Sequence, residues 1–142
     1  MLVQLTSPNA GRSVALRLAM SFVGRTCPVK VIPPGIAIGY GATCVTDMKC
    51  KDATIPVGYA AGYRRLLSNI AEVVFKDKRV PILGRVAIDM YIDLTSIPDV
   101  CPGEHVIRSG VGLPMDEMAS IIVTVNCDVV TGIGKRVPRP YR

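Results

Sequence analysis

The fold of this chain is decided by the stretch Val31-Ile32-Pro33-Pro34-Gly35-Ile36-Ala37-Ile38-Gly39-Tyr40-Gly41-Ala42-Thr43. Apolar residues that favour strands lead into a Gly-Tyr-Gly step, and the flanking glycines allow the backbone to bend or to approach a partner closely. One polar aromatic side chain, that of Tyr40, projects between them. The stretch therefore predicts a strand that ends by presenting a single phenol to a site.

Short apolar and β-branched runs recur along the rest of the chain between Gly, Pro or charged residues. The run Tyr91-Ile92-Asp93-Leu94 alternates with period two, as a half-buried strand does. The segment Lys76-Asp77-Lys78 has the length and polarity of a hairpin tip, and Pro81 indicates an edge or a bulge because proline donates no hydrogen bond. The predicted strands are 29–32, 36–40, 54–57, 72–75, 80–86, 90–94 and 105–107.

This spacing of strands predicts a mainly β fold, an antiparallel β-barrel or sandwich-like domain with one or two short helices near the C-terminus. One helix is predicted from Pro114 to about Val125, since proline suits the first turn and Asp116 and Glu117 complement the helix dipole. Residues 1–15 lack periodicity and are predicted to be a loose leader, so that residues 16–142 form the domain.

Composition limits the classes of protein that the chain can belong to. With 142 residues, 49% of them hydrophobic, it is long enough for one domain with a real core. Five cysteines without zinc-ligand spacing indicate free thiols in a reducing compartment. No apolar run of membrane-spanning length occurs, so the sequence predicts a soluble, cytoplasmic protein.

The net charge of +6 leaves two interpretations of the basic residues near the C-terminus open. The first is a solvated edge of the domain; the second is a small basic β-barrel that binds RNA or another polyanion without catalysis. The second is disfavoured because aromatic residues make up only 5% of the chain and Trp is absent, whereas single-strand binders stack bases on aromatic rings. The residues concerned are Lys135, Arg136, Arg139 and Arg142.

Three further runs follow the first in order: Ala53-Thr54-Ile55-Pro56-Val57-Gly58-Tyr59-Ala60-Ala61-Gly62-Tyr63-Arg64-Arg65-Leu66, Val80-Pro81-Ile82-Leu83-Gly84-Arg85-Val86-Ala87-Ile88-Asp89-Met90 and Gly134-Lys135-Arg136-Val137-Pro138-Arg139. Any single run is weak evidence, because such motifs arise by chance. Taken together and in this order, the four runs resemble the C-terminal domain of alanine racemase, from about Leu16 to Tyr141.

The resemblance implies an isomerase that uses pyridoxal 5'-phosphate to interconvert L- and D-alanine, with D-alanine supplied for peptidoglycan. In that family a lysine of a TIM-barrel domain serves one face of the substrate, and the tyrosine of the Gly-Tyr-Gly run serves the other face from the partner subunit. The resemblance therefore makes Tyr40 the candidate catalytic residue. A free phenol has a pKa of about 10, so its use as a base at neutral pH requires nearby positive charge or hydrogen bonds.

The same resemblance assigns roles to five other residues. It implies that Ile88 offers its backbone N–H to the substrate carboxylate, a role that survives a change of side chain. It places Tyr59, Arg65 and Arg85 along the substrate channel, although Tyr59 equally suits a packing position and Arg85 equally suits a surface ion pair with Asp89. It places Lys135 where some members have a tyrosine that contacts the cofactor phosphate.

The chain departs from the family pattern at several positions. Ala61 stands where the family usually has Asp, Cys44 where it usually has Tyr, and Leu18 where Pro is more usual. These differences change local hydrogen bonding and leave Tyr40 untouched. No lysine here lies in a context that resembles the cofactor-binding run.

The expectation is therefore a C-terminal half that needs an N-terminal TIM barrel, forms a homodimer and acts on a small amino acid: alanine, serine or another one. Alone, it is expected neither to bind the cofactor tightly nor to racemise alanine. Neither a metal nor a membrane is implied. A structural remnant that only dimerises is the remaining alternative.

Overall fold

The computed structural model describes residues 19–141 as nine strands and two helices. The predicted leader at 1–15, residues 16–18 and Arg142 lie outside the described residues. The strands are β1 (Phe22–Arg25), β2 (Val29–Ile32), β3 (Ala37–Ile38), β4 (Cys44–Val45), β5 (Cys50–Ile55), β6 (Glu72–Phe75), β7 (Lys78–Leu83), β8 (Met90–Asp93) and β9 (His105–Ser109). The helices are α1 (Met115–Ile121) and α2 (Asn126–Thr131).

Seven strands form one antiparallel sheet in the order β1-β9-β6-β7-β8-β5-β2, and β3 pairs with β4 in a separate hairpin. The turn after β1 connects the two ends of the sheet. The Thr26 N–H donates to Glu104 O, directly before β9, and the Cys27 N–H donates to Thr54 O of β5. The sheet is therefore curled into a partly closed barrel. The predicted fold class is confirmed.

The core fills the inside of the curled sheet. Inward positions alternate along each strand, as the pleat requires: Ala53 pairs with Ile92 and Ile55 with Met90, and all four are fully buried. Strands β6 and β9 form the other half of the core, through the buried side chains of Val73, Phe75 and Val106. Both helices pack beside this core, with Met118 of α1 and Val129 of α2 buried.

The hairpin predicted at Lys76-Asp77-Lys78 is confirmed, with a loop of two residues, since Phe75 pairs with Lys78. Lys76 and Asp77 both have positive φ, 47° and 60°, which suits the twist of a tight hairpin. Pro81 was predicted to lie on an edge strand or at a bulge. The edge strand is wrong. Strand β7 lies inside the sheet, and Pro81 is tolerated because pairing with β8 begins only at Ile82.

Several element boundaries differ from the prediction for local reasons. The strand predicted at 36–40 is only Ala37–Ile38, because Gly39 at φ 72° turns the chain away. The strand predicted at 54–57 is instead Cys50–Ile55. Its first half was not predicted because Lys51 and Asp52 are polar. The helix predicted to reach Val125 ends at Ile121, and α2 follows it.

Candidate functional site

The predicted site residues meet around the loop between β7 and β8, residues 84–89. This loop carries Arg85 and Ile88 itself. Three other segments are bonded to it or packed on it: the turn that carries Tyr40, the turn that carries Tyr59 and the turn that carries Arg65. Residues far apart in sequence thus share one surface.

Tyr40 opens a single 3-10 turn, Tyr40–Ala42, directly after β3. Gly39 and Gly41 have φ values of 72° and 77°, a region that side chains other than glycine rarely adopt, so this turn needs both glycines. The side chain of Tyr40 is 71% exposed. The phenol is therefore accessible to a neighbour.

The turn Tyr59–Ala61 is fastened to the far end of the loop. The Tyr59 N–H donates to Ala87 O at 2.9 Å, and Gly58 lies so close that a Cβ there would overlap that oxygen. Ile88 follows directly and is 66% exposed. Within residues 19–141 the Ile88 N–H donates no hydrogen bond, so it is available to an external acceptor such as a carboxylate.

The turn Arg65–Leu67 is fastened to the near end of the loop through the two residues that follow it. The Val86 N–H donates to Ser68 Oγ at 3.0 Å, and the Asn69 N–H donates to Gly84 O at 3.1 Å. The Asn69 side chain also donates to Thr43 Oγ1 at 3.1 Å, just after the Tyr40 turn. The exposed Arg65 thus lies on the same surface as Tyr40.

Lys135 lies beside the Tyr59 turn because the C-terminal segment runs along it. The Gly134 N–H donates to Ala61 O at 3.3 Å, and the Arg136 guanidinium donates to Ala60 O at 2.9 Å. Arg139 donates to Ile133 O. Two of the four basic residues considered for polyanion binding therefore hold the C-terminal segment in place, while Lys135 is exposed.

Tyr91 is a site neighbour that the sequence analysis did not identify as such. Burial raises the pKa of Tyr91, and the nearby Asp89, Asp52 and Tyr40 raise it further. The phenol of Tyr91 therefore stays protonated and neutral at physiological pH. Its period-two position predicted only a half-buried strand residue, because its approach to the Tyr40 turn is a contact between distant parts of the chain.

The surface ion pair considered between Arg85 and Asp89 is not formed. The ion pairs within residues 19–141 join Arg64 to Asp128, Lys76 to Glu104, and Arg79 to Glu72 and Glu117. This part of the chain contains no group of three or more His, Cys, Asp or Glu residues that could hold a metal ion. A cleft of about 320 Å³ lies elsewhere, at the β6–β7 hairpin, and contains none of the predicted site residues; it is lined by Val74, Lys76, Asp77, Glu104, His105 and Ile107.

The fold and this surface define a small antiparallel β-barrel domain that displays a tyrosine, a free backbone donor and several cations on one open face. The family model described as "Alanine racemase, C-terminal domain" matches residues 19–141. The chain belongs to this family.

Comparisons with individual proteins agree with this assignment. The chain is 40% identical over 130 residues to an alanine racemase of Desulfovibrio desulfuricans, covering 90% of this chain and 35% of that protein. It is 41% identical over 135 residues to one of Halothermothrix orenii, covering 92% of this chain and 36% of that protein. The crystal structure of alanine racemase from Bartonella henselae with covalently bound pyridoxal phosphate superposes with a TM-score of 0.83 at 28% identity, covering 86% of this chain and 34% of that one.

The chain thus spans about a third of the length of the curated relatives that it matches. Family membership favours the racemase interpretation over the polyanion-binding alternative. All five cysteines are free thiols, as predicted. Among the described residues, no helix has the length and apolar character that a membrane crossing requires.

Proposed function

We propose that this chain is the β domain of a pyridoxal-phosphate-dependent alanine racemase and supplies Tyr40 to the active site of a partner subunit. The observation that carries the proposal is the exposed phenol, held between two glycines on the face where the other predicted residues meet, in a chain of this family. The substrate is a small amino acid, alanine first, and the product supplies D-alanine for peptidoglycan. A cytoplasmic location belongs to the same proposal.

The residues of this chain fit the edge of a cofactor site rather than a complete one. Tyr40, Ile88, Arg65 and Lys135 are all exposed, so this domain alone encloses no cofactor. Lys135 can supply a positive charge to the phosphate. When bound, pyridoxal phosphate provides the electron sink that makes the α-proton of an amino acid removable.

The protein residues then have separable tasks. Tyr40 exchanges a proton between its phenol oxygen and one face of the substrate α-carbon. The free N–H of Ile88 binds the substrate carboxylate, and Tyr59, Arg65 and Arg85 narrow the channel and favour a small amino acid. The proton on the opposite face belongs to a group of the partner.

The partner we propose is a TIM-barrel domain, on the same polypeptide or a separate one, within a homodimer. The exposed face supports this, because Tyr40, Leu66 and Ile88 leave apolar surface uncovered around the loop 84–89. A barrel that packs on this face would bury that surface and exclude water from the reaction.

The test is exchange of the alanine α-proton in D₂O, followed by NMR, for this chain alone and co-expressed with an alanine racemase barrel domain. The pair is expected to exchange the proton and the chain alone is not. Tyr40→Phe should lower the rate by about 10²–10⁴-fold, the range of a general acid/base. Tyr141→Phe is the matched control, because Tyr141 is 93% exposed and lies outside the site. An unchanged rate in Tyr40→Phe would refute the catalytic assignment.

A further inference from the structure

The Tyr40 turn is contacted by two residues of its own domain, Arg85 and Tyr91. A methyl group built on Gly41 would lie 3.5 Å from Cζ, 3.6 Å from Nε and 3.7 Å from Nη1 of Arg85. A methyl group on Gly39 would lie 3.6 Å from the Arg85 backbone nitrogen and 3.9 Å from Cδ2 of Tyr91. A methyl group at either glycine would therefore make ordinary van der Waals contacts, so Arg85 and Tyr91 lie about one methyl group away from the turn.

The side chain of Tyr40 makes few contacts of its own, because 71% of it is exposed. The direction of the phenol is therefore set by the backbone of the turn. Two flanking glycines make that backbone intrinsically flexible, since glycine has the widest range of φ and ψ values. Something outside the turn has to restrict it if the phenol is to reach one face of a substrate.

We propose that Arg85 and Tyr91 form a clamp that holds the Tyr40 turn in its reactive geometry before any partner binds. The guanidinium of Arg85 lies beside Gly41, and the ring of Tyr91 and the Arg85 backbone lie beside Gly39. In the clamp both are positioning residues, because they act there through Tyr40; Arg85 keeps its separate place along the substrate channel. The catalytic consequence rests on the proposed function, whereas the clamp itself is a property of this chain.

The charges around the clamp are compatible with it. None of the ion pairs within residues 19–141 includes Arg85, so its guanidinium is not drawn away from Gly41 by a carboxylate. Asp89 and Asp52 face Tyr91 and, with burial, keep its phenol neutral. A neutral ring packs beneath the turn without the desolvation cost of a phenolate.

The first test measures the turn in the isolated chain by ¹⁵N relaxation. Backbone order parameters of Gly39 and Gly41 are expected at about 0.85, the value of rigid backbone, and below about 0.6 in Arg85→Ala and Tyr91→Ala. Tyr91→Phe keeps the ring and should retain the rigid value. Arg65→Ala, which removes a neighbouring cation that does not touch the turn, should leave both glycines unchanged. Rigid glycines in both alanine variants would overturn the clamp.

The second test uses the chain reconstituted with a barrel domain. Arg85→Ala and Tyr91→Ala should lower kcat by about 10–100-fold with KM changed less than about 3-fold, because a misplacement of about 1 Å costs rate rather than binding. Tyr91→Phe should restore the rate. Arg25→Ala, on the edge strand β1, is the control for loss of a guanidinium. A higher KM with unchanged kcat would show that Arg85 lines the substrate channel only, and would overturn its positioning role.

The two tests fail independently. A reconstituted pair without activity contradicts the proposed function but leaves the relaxation result standing. Mobile glycines in the unsubstituted chain contradict the clamp but leave Tyr40 as the acid/base residue, since a partner could then order the turn on binding.

Discussion

Arg108 is the most unusual residue of the core, because it is a fully buried cation on the inward face of β9. Its guanidinium stacks on the Phe22 ring at 3.6 Å from the centroid and donates one hydrogen bond to Val23 O at 3.0 Å. Among the described residues, Nε and Nη1 find no acceptor, and the hydroxyl of the neighbouring Tyr63 finds no partner either. Burial lowers the pKa of Arg108 to about 10. Within residues 19–141 no carboxylate balances this charge.

Replacing Arg108 by methionine is therefore expected to stabilise the domain. The loss of one hydrogen bond and the ring contact is outweighed by removal of a buried unpaired charge, for a net gain of about 1–3 kcal/mol. Urea unfolding followed by circular dichroism measures this free energy. Arg25→Met, at an exposed position, should change it by less than about 0.5 kcal/mol. A less stable Arg108→Met would show that the guanidinium is better satisfied than its protein contacts indicate.

Asp52 is a second buried charge, 2% exposed, with one carboxylate oxygen lacking a partner. Burial raises the pKa of Asp52, while Lys30 across the strand pair and its own backbone N–H lower it. The folded pKa thus exceeds the unfolded value of 3.8, so the folded state binds the proton more tightly. Stability attributable to this group therefore rises as the pH falls through the folded pKa.

Asp52→Asn is expected to raise the free energy of unfolding at pH 7 by about 1–2 kcal/mol, because a neutral amide costs less to bury than a carboxylate. The gain should shrink as the pH falls and vanish only below the unfolded pKa, where the carboxyl is neutral in both states. Urea unfolding of both proteins between pH 4 and pH 7 measures the difference. Asp47→Asn, at an exposed site, should show no such trend. A gain independent of pH would exclude the charge as its cause.

At the scale of elements, the site depends on three turns docked on one loop rather than on any strand. Each turn follows or precedes a strand whose register is set by burial, as in the pairing of Ala53 with Ile92. The strands deliver the turns to one edge of the barrel. The closest approach is that of Gly58 to Ala87, where the Tyr59 turn meets the loop.

Gly58→Ala is expected to destabilise the domain by about 2–4 kcal/mol, because the new methyl group collides with the Ala87 carbonyl and the Tyr59–Ala87 hydrogen bond is lost. Gly58 has φ −142°, so the cost is steric and not conformational. Thermal or urea unfolding measures it. Gly134→Ala, whose methyl group would lie 3.5 Å from Ala60 O, should cost less than about 1 kcal/mol. Equal stabilities would show that the turn docks differently.

At the scale of the whole molecule, one face of the barrel is uncovered. Leu66 and Ile88 are 68% and 66% exposed next to Tyr40 and Tyr59. The inner face of the sheet, by contrast, is fully packed by the core. Apolar side chains grouped on one face of a small domain are typical of an interface.

The isolated chain is expected to self-associate through this face. Sedimentation velocity between about 1 and 100 μM should show a concentration-dependent dimer, the range in which modest interfaces associate. Leu66→Glu should weaken the association by about 10-fold or more, because it buries a charge in the contact. Val123→Glu, also highly exposed but on the α1–α2 connection, should leave it unchanged. A Leu66→Glu chain that dimerises like the unsubstituted one would locate the contact elsewhere.

The amino-acid sequence by itself determined the fold class, the β6–β7 hairpin and the turn at Tyr40, because alternation, tight-turn chemistry and a Gly-Tyr-Gly step are local properties of the chain. It did not locate β1, the true ends of β5 or the second helix. In β5, the polar residues Lys51 and Asp52 do not follow a strand pattern, and the burial of Asp52 depends on neighbouring strands. Only the tertiary structure decided that Tyr91 and Arg85 lie against the Tyr40 turn and that Arg108 is buried without an ion pair. These are contacts between segments far apart in the chain, and no local pattern encodes them.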